Sequence, residues 1–270
     1  MQYNNPHNIV EHVGDAAWRF GKDCVEMLSF IGELSAATAF AVRHPRKIRW
    51  KETFYYMDMC GSDALPIVTM ICFLMGLILG FQAAVQMHKF GTDIYVADLV
   101  GFSIVKELGP LMVAMIATGR AGSAFAAEIG TMKVSEEIDA MMTMGFIPSR
   151  FLVIPKVFAM VCVIPILTVF GDISGIIGGF FVGWLKLGLP PVAYFDRTFA
   201  VLTPMAFVMG LVKSFFFAFL IASVGCMRGF EAGSDAQGVG RSATSAVVSG
   251  IFLIVIADAL LTILFTSMGY

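Results

Sequence analysis

The sequence is poor in charge. Only 14% of its 270 residues are Asp, Glu, Lys or Arg, against about 25% in a soluble domain. Neither sign dominates, since the formal net charge is −2, and nothing forms a basic face for nucleic acid. Five cysteines (Cys24, Cys60, Cys72, Cys162 and Cys226) are scattered without CxxC spacing, which argues against a zinc or dithiol centre and for reduced, structural thiols. The four histidines (His7, His12, His44 and His88) lie outside the long apolar runs, so no His-based catalytic or metal constellation is expected inside them. No GxxxxGK[ST] phosphate loop occurs, and Gly238-Val239-Gly240 reads as a turn in a polar loop. Residues Met1 to Asn8 are polar and no signal-peptide core follows, so a retained N-terminus is expected.

What fills the chain instead is apolar sequence, 58% of it, gathered in runs long enough to cross a bilayer. Five spans are expected, at about Ala64–Val85, Val100–Thr118, Val157–Trp184, Phe199–Val224 and Ala246–Met268. The fold class is therefore an all-α integral membrane protein, with an N-terminal region over 1–62 and a membrane domain over 63–270. In the former, Val13, Ala17, Phe20, Cys24, Met27, Phe30 and Ile31 share one helical face while Asp15, Arg19, Lys22 and Asp23 lie on others, as in an interfacial amphipathic helix. Arg43, Arg46, Lys47, Arg49, Trp50 and Lys51 follow as a basic, aromatic cluster at headgroup depth. With the N-terminus inside, thirteen Lys and Arg fall on that side and three (Lys89, Lys186, Arg197) on the other, so an inside N-terminus and an outside C-terminus are expected.

Charges at bilayer depth are costly and usually face a cavity or a partner. Lys106 and Glu107 in the second span, Lys213 in the fourth and Asp258 in the fifth are such residues, with Asp172 a further case and Gln82 and Gln86 adding amides at the end of the first span. They can pair as a polar gate on a translocation path, or as a static network that only fixes helix packing. Gly171, Gly175, Gly179 and Gly183 recur every four residues and form one smooth face for close helix packing. Between the second and third spans, a short polar helix over about 133–144 is expected. It has Ser135 as cap, Glu136, Glu137 and Asp139 in its first turns and a methionine face including Met141, and is suited to docking into a groove on another protein.

Taken together, these motifs resemble the MlaE permease family, the membrane subunits of lipid ABC transporters, over roughly Pro45 to Leu264. The resemblance rests on Gln82, on Lys106-Glu107-Leu108-Gly109-Pro110, and on the block from Gly119-Arg120-Ala121-Gly122-Ser123 through Ala127-Glu128-Ile129-Gly130 to Glu136-Glu137-Ile138-Asp139-Ala140-Met141. Lys213-Ser214 and Gly238-Val239-Gly240-Arg241 complete it. Lys106 departs from the Arg more usual there, keeping the charge but not the planar fork.

The resemblance implies a homodimer working with two copies of a separate ATPase that carries ATP and Mg, this chain holding no cofactor. It also implies an MCE-domain periplasmic partner, often a hexamer, frequently a STAS-domain partner, and an inner-membrane location. The helix at 133–144 becomes the coupling helix, with Glu128, Glu136, Glu137, Asp139 and Met141 as its ATPase-coupling residues. Phospholipid becomes the cargo, with Phe73, Leu77, Phe81 and Ala84 against its acyl chains and Lys106, Glu107, Lys213, Asp258 and Gln82 forming the polar gate. An ion-coupled secondary transporter, an ABC permease for a non-lipid solute and a non-transporting scaffold are the competing readings. The first is opposed by the absence of a detectable inverted repeat.

Overall fold

In a computed structural model of the chain, residues 6–44 and 48–269 are described; Arg46 and Lys47 of the basic cluster lie outside them, as do the side chains of Val13, Asp15, Ala17, Arg19, Phe20, Asp23 and Cys24. Among the described residues the chain is helical, with no strand. Five helical stretches are long and apolar enough to cross a membrane: Trp50–Lys89, Tyr95–Val134, Pro148–Leu187, Pro204–Phe230 and Ala236–Ser267. The chain is an all-α, multi-pass membrane protein.

Helix α1 (Pro6–Arg43) precedes the spans. Leu34, Ala37 and Ala41 of its second half are buried against the bundle, and Phe30 meets Phe230 at 6.4 Å between ring centroids. The first span is built from α2 (Trp50–Gly61) and α3 (Leu65–Lys89), separated by a short turn. It therefore begins earlier than the apolar run at Ala64, because Thr53, Tyr56 and Cys60 already bury one face of α2.

The second span contains α4 (Tyr95–Ser103), a π turn at Ile104–Leu108, α5 (Gly109–Ala117), a second π turn at Thr118–Gly122, and α6 (Ser123–Val134). The apolar run stops at Thr118, but the helix does not. Arg120 leaves it to meet Asp63, with Nη2 2.6 Å from Oδ2, and the small residues that follow pack against the last two helices, Pro204–Phe230 and Ala236–Ser267. The short helix α7 occupies only Glu137–Thr143, shorter than the expected 133–144. Lys133 and Val134 complete α6, and Glu136 turns the chain with a left-handed φ of 60°. Ser135 does not cap α7: its hydroxyl bonds Thr131 O at 3.0 Å and Glu137 Oε1 at 3.1 Å.

Helix α8 (Pro148–Leu187) is 40 residues long, or ~60 Å at 1.5 Å per residue, and so outreaches a ~30 Å hydrocarbon core. After α9 (Pro191–Val201), the chain breaks at Leu202 and Thr203, whose hydroxyl oxygen accepts the Ala206 N–H at 3.3 Å and starts α10 (Pro204–Phe230). Phe199 therefore belongs to α9 rather than to the fourth span. Helix α11 (Ala236–Ser267) starts ten residues before Ala246, with Asp235 as its cap accepting from Gly238 N at 2.9 Å. The Gly238-Val239-Gly240 stretch is thus helical and not a turn.

The glycine repeat of α8 faces the second span and α9. Gly175 lies under Ile104, Gly179 under Val100 and the Tyr194 hydroxyl, and Gly183 under the Tyr194 ring. Gly76 of α3 meets Gly175 backbone to backbone, where an added Cβ would overlap the Gly175 carbonyl. Packing of this kind needs small residues because lipid supplies no hydrophobic drive between helices.

Candidate functional site

Three of the ionisable residues expected at bilayer depth converge. Lys213 of α10 is 1% exposed, and its ammonium donates to Glu107 Oε2 at 2.6 Å, Asp258 Oδ1 at 2.8 Å and Thr262 Oγ1 at 2.8 Å. An ammonium has three N–H bonds, so all are engaged. The Thr262 hydroxyl lies 3.0 Å from Glu107 Oε1 and 2.8 Å from the Asp258 carbonyl, either of which can accept its proton. Counted as ionised, one ammonium and two carboxylates leave one negative charge. Asp258 is buried, while the Glu107 side chain keeps 32% of its surface exposed and forms the open side of the cluster.

Local sequence sets this geometry. Glu107 stands in the π turn at Ile104–Leu108, just before Gly109 and Pro110, and such turns re-aim side chains within a helix. Gly210, one turn before Lys213, packs on the Val105 carbonyl, where a Cβ would overlap, so α10 reaches the π turn at backbone distance. Asp258 and Thr262 are four residues apart on α11 and share a face. Thr262 escaped the sequence reading because a threonine in an apolar helix is unremarkable. Its spacing from Asp258 was the available signal.

Other expected residues lie elsewhere. The Lys106 ammonium sits 4.9 Å from the centre of the Phe102 ring and is not among the hydrogen-bond partners of the cluster. Asp172 is buried near Gly109 without a partner for Oδ1 and does not join Lys213. Gln82 lines a separate groove of about 230 Å3 with Gln86 and Ser103. Phe73 stacks edge-on against Phe181 with centroids 5.7 Å apart, Leu77 packs beside Val96 and Val100, and Phe81 is exposed with the Lys186 ammonium 3.6 Å from its ring centre. Ala84 is fully buried, so its methyl group contacts protein rather than a lipid-facing surface.

A second buried lysine appears where a loop charge was expected. Lys156, eight residues into α8 and 0% exposed, donates to Tyr56 Oη at 2.7 Å and Glu128 Oε1 at 3.0 Å. The Tyr56 hydroxyl donates to the same Glu128 oxygen at 2.5 Å, and the ammonium lies 4.1 Å from the Tyr56 ring centre. Glu128 is thereby tied to α2 and α8, apart from the exposed Glu136 just before α7 and Glu137 and Asp139 on it; Met141 is half-buried and Ile138 is buried at the root of that helix. Sequence reading missed this cluster because Pro155 interrupts the apolar pattern and made Lys156 look like a loop residue.

At the far end, Arg197 of α9 clamps Asp98 of α4 through Nε at 2.8 Å and Nη2 at 2.7 Å. These hydrogen bonds raise the guanidinium pKa further. Beneath α9, burial of Tyr194 raises its hydroxyl pKa.

Comparison with known proteins adds three findings. The family pattern described as Permease MlaE matches residues 53–264. A probable ABC transporter permease protein of Rickettsia conorii is 36% identical over 249 residues, 91% of this chain and 95% of its own, and one of Synechocystis is 31% identical over 216 residues, 80% and 82%. The Arabidopsis thaliana chloroplast protein named trigalactosyldiacylglycerol 1 is 30% identical over 219 residues, 81% of this chain and 63% of that protein.

Proposed function

The chain belongs to the MlaE permease family of ABC transporter permeases, and from that premise we propose that its cargo is a phospholipid or related lipid, moved between the inner membrane and a periplasmic MCE-type carrier. The observation that carries this reading is the Lys213 cluster: a charged group of the kind that meets a lipid headgroup, set among helices whose other surfaces suit acyl chains. The name of the Arabidopsis relative, which is that of a diacylglycerol lipid, supports the same cargo class.

In this reading two copies of the chain form a homodimer, with the N-terminus cytoplasmic and the C-terminus periplasmic. A separate ATPase binds ATP and Mg and seats on α7, where the exposed Glu136, Glu137 and Asp139 take up its motion. An MCE hexamer stands on the periplasmic side and a STAS-domain protein on the cytoplasmic side. A headgroup phosphate replaces Glu107 as a partner of Lys213, because Glu107 is the exposed arm of the cluster and can swing away while Asp258 and Thr262 keep the ammonium in place. Lys106, beside Phe102, offers a second cation near the same turn, and Gln82, in its groove with Gln86 and Ser103, and the exposed Phe81 offer further contacts on α3. Phe73 and Leu77 stand deeper on that helix, toward the acyl chains. Closure driven by the ATPase then returns Lys213 to Glu107 and expels the lipid.

The test is lipid transfer by the reconstituted complex. Lys213→Ala, normally assembled, is expected to lose transfer and lipid-stimulated ATP hydrolysis together. Wild-type transfer by that variant refutes the gate. Transfer of lipid that follows an imposed ion gradient without ATP refutes the ABC lipid reading in favour of an ion-coupled one.

A further inference from the structure

We propose a second lipid site at the opposite end of the bundle from Lys213, where one anionic phospholipid is held between α1 and α8. It rests on the chain spanning a membrane and not on lipid being the transported cargo. A groove of about 550 Å3 opens there, within the range of about 300–1,000 Å3 usual for small-molecule sites. Its walls are apolar: Ala37 and Ala41, one helical turn apart on α1, face Ile154 and Pro155 of α8. The small side chains of Ala37 and Ala41 keep the α1 wall of the groove open. Two arginines from different elements close its rim, Arg49 immediately before α2 and Arg150 in the first turn of α8.

Both arginines stand where a membrane-spanning stretch begins, which is headgroup depth. The Arg49 guanidinium is fixed over the Phe151 ring, 4.0 Å from its centre, and pairs with Glu52. The Arg150 side chain is exposed and has no carboxylate within ion-pair distance among the described residues. Glu52 pairs with Arg49, and Glu33, in the adjoining recess, accepts from the Ser149 hydroxyl at 3.4 Å, so the Arg150 fork is the group offered to a phosphate. The lip of the groove is itself apolar, with Phe146 47% and Ile147 50% exposed. Exposed aromatic and aliphatic side chains beside arginines at headgroup depth suit a chain that continues into lipid. Charge at the mouth and hydrocarbon below it match an anionic phospholipid with one acyl chain in the groove.

The experiment uses the full chain in nanodiscs of phosphatidylcholine containing a fifth of phosphatidylglycerol, with a photo-crosslinking amino acid replacing Ile154 and the products read by mass spectrometry. Phosphatidylglycerol should be captured several-fold above its share of the bilayer. Arg49→Gln with Arg150→Gln should abolish that several-fold enrichment and return capture to the bulk ratio, while Arg49→Lys with Arg150→Lys retains most of it. Should the double Gln variant fail to fold, Arg150→Gln alone is read for a partial loss. Capture of the two lipids in their bulk ratio by the wild-type chain overturns the proposal, as does enrichment indifferent to the arginines. Label found on a co-purified protein assigns the groove to a partner segment and also overturns it.

Discussion

Lys156 and Lys213 are both buried lysines of long helices, yet they sit near opposite ends of the bundle and are held differently. Lys156 lies ~12 Å along α8 from its start, and Lys213 ~14 Å along α10, which runs back from the other end. Lys156 meets one carboxylate and one phenol, so its charges cancel, and aromatic rings cover it. Lys213 meets two carboxylates and a hydroxyl, which leaves a residual charge, and one of those carboxylates faces outward. Exposure does not separate them, since Glu128 keeps 37% of its side-chain surface and Glu107 32%; the Lys156 pair is balanced and covered by rings, which suits it to holding helices together. At the Lys213 cluster Asp258 alone balances the ammonium, so in the proposed function Glu107 is the partner that a headgroup phosphate exchanges for. On this reading Lys156 is a clamp on α2, α6 and α8, and Lys213 is the working site.

The largest effect that separates them is expected from charge-neutral replacement. Lys213→Met with Glu107→Gln and Asp258→Asn should fold and assemble but lose lipid transfer by at least a hundredfold. Lys156→Met with Glu128→Gln should fold and transfer within about twofold of wild type, because hydrophobic replacement of a buried pair is often neutral. Transfer lost in both would remove the distinction. Breaking one partner at a time is expected to cost stability at both sites, read as the thermal midpoint of the purified chain. Lys213→Ala, which strands two carboxylates, should cost roughly 3–5 kcal/mol. Lys156→Ala should cost about half that, since the Glu128 side chain is 37% exposed and can rehydrate. Equal losses would mean that exposure of the orphaned acid does not matter.

Smaller changes sharpen the contrast. Tyr56→Phe removes a hydroxyl shared by Lys156 and Glu128 and should lower stability by about 1 kcal/mol without touching transfer. Thr262→Val removes one of three Lys213 acceptors, with a stability change of about 1 kcal/mol or less. It should nonetheless slow transfer several-fold, because Thr262 steadies the ammonium when Glu107 swings away. A transfer defect in Tyr56→Phe with none in Thr262→Val would reverse the assignment of clamp and site.

Much of this molecule was legible in the sequence because membrane solvation is written in composition. Twenty apolar residues must span a bilayer as a helix, so five spans and the all-α class follow from run length. Glu107, Lys213 and Asp258 stood out for the same reason, since charge at that depth needs a partner. The glycine repeat of α8 was visible as a packing face because a four-residue period stays on one side of a helix.

Run length could not reveal where a helix continues through polar residues. The extension past Arg120, the break at Thr203 and the start of α11 at Ala236 depend on partners and caps distant from the apolar run: Asp63, Pro204 and Asp235. Pairing was also beyond it. Lys106 and Lys213 both read as charges within spans, but a π turn and the close approach at Gly210 deliver Glu107 to Lys213 and leave Lys106 over Phe102. Lys156 became a core residue only when α2 and α6 folded over it. Sequence alone determined that the chain must live in lipid and which charges must be answered there; tertiary structure decided which group answers which, because a hydrogen bond depends on ångströms that helical phase, π turns and glycine contacts set between distant segments.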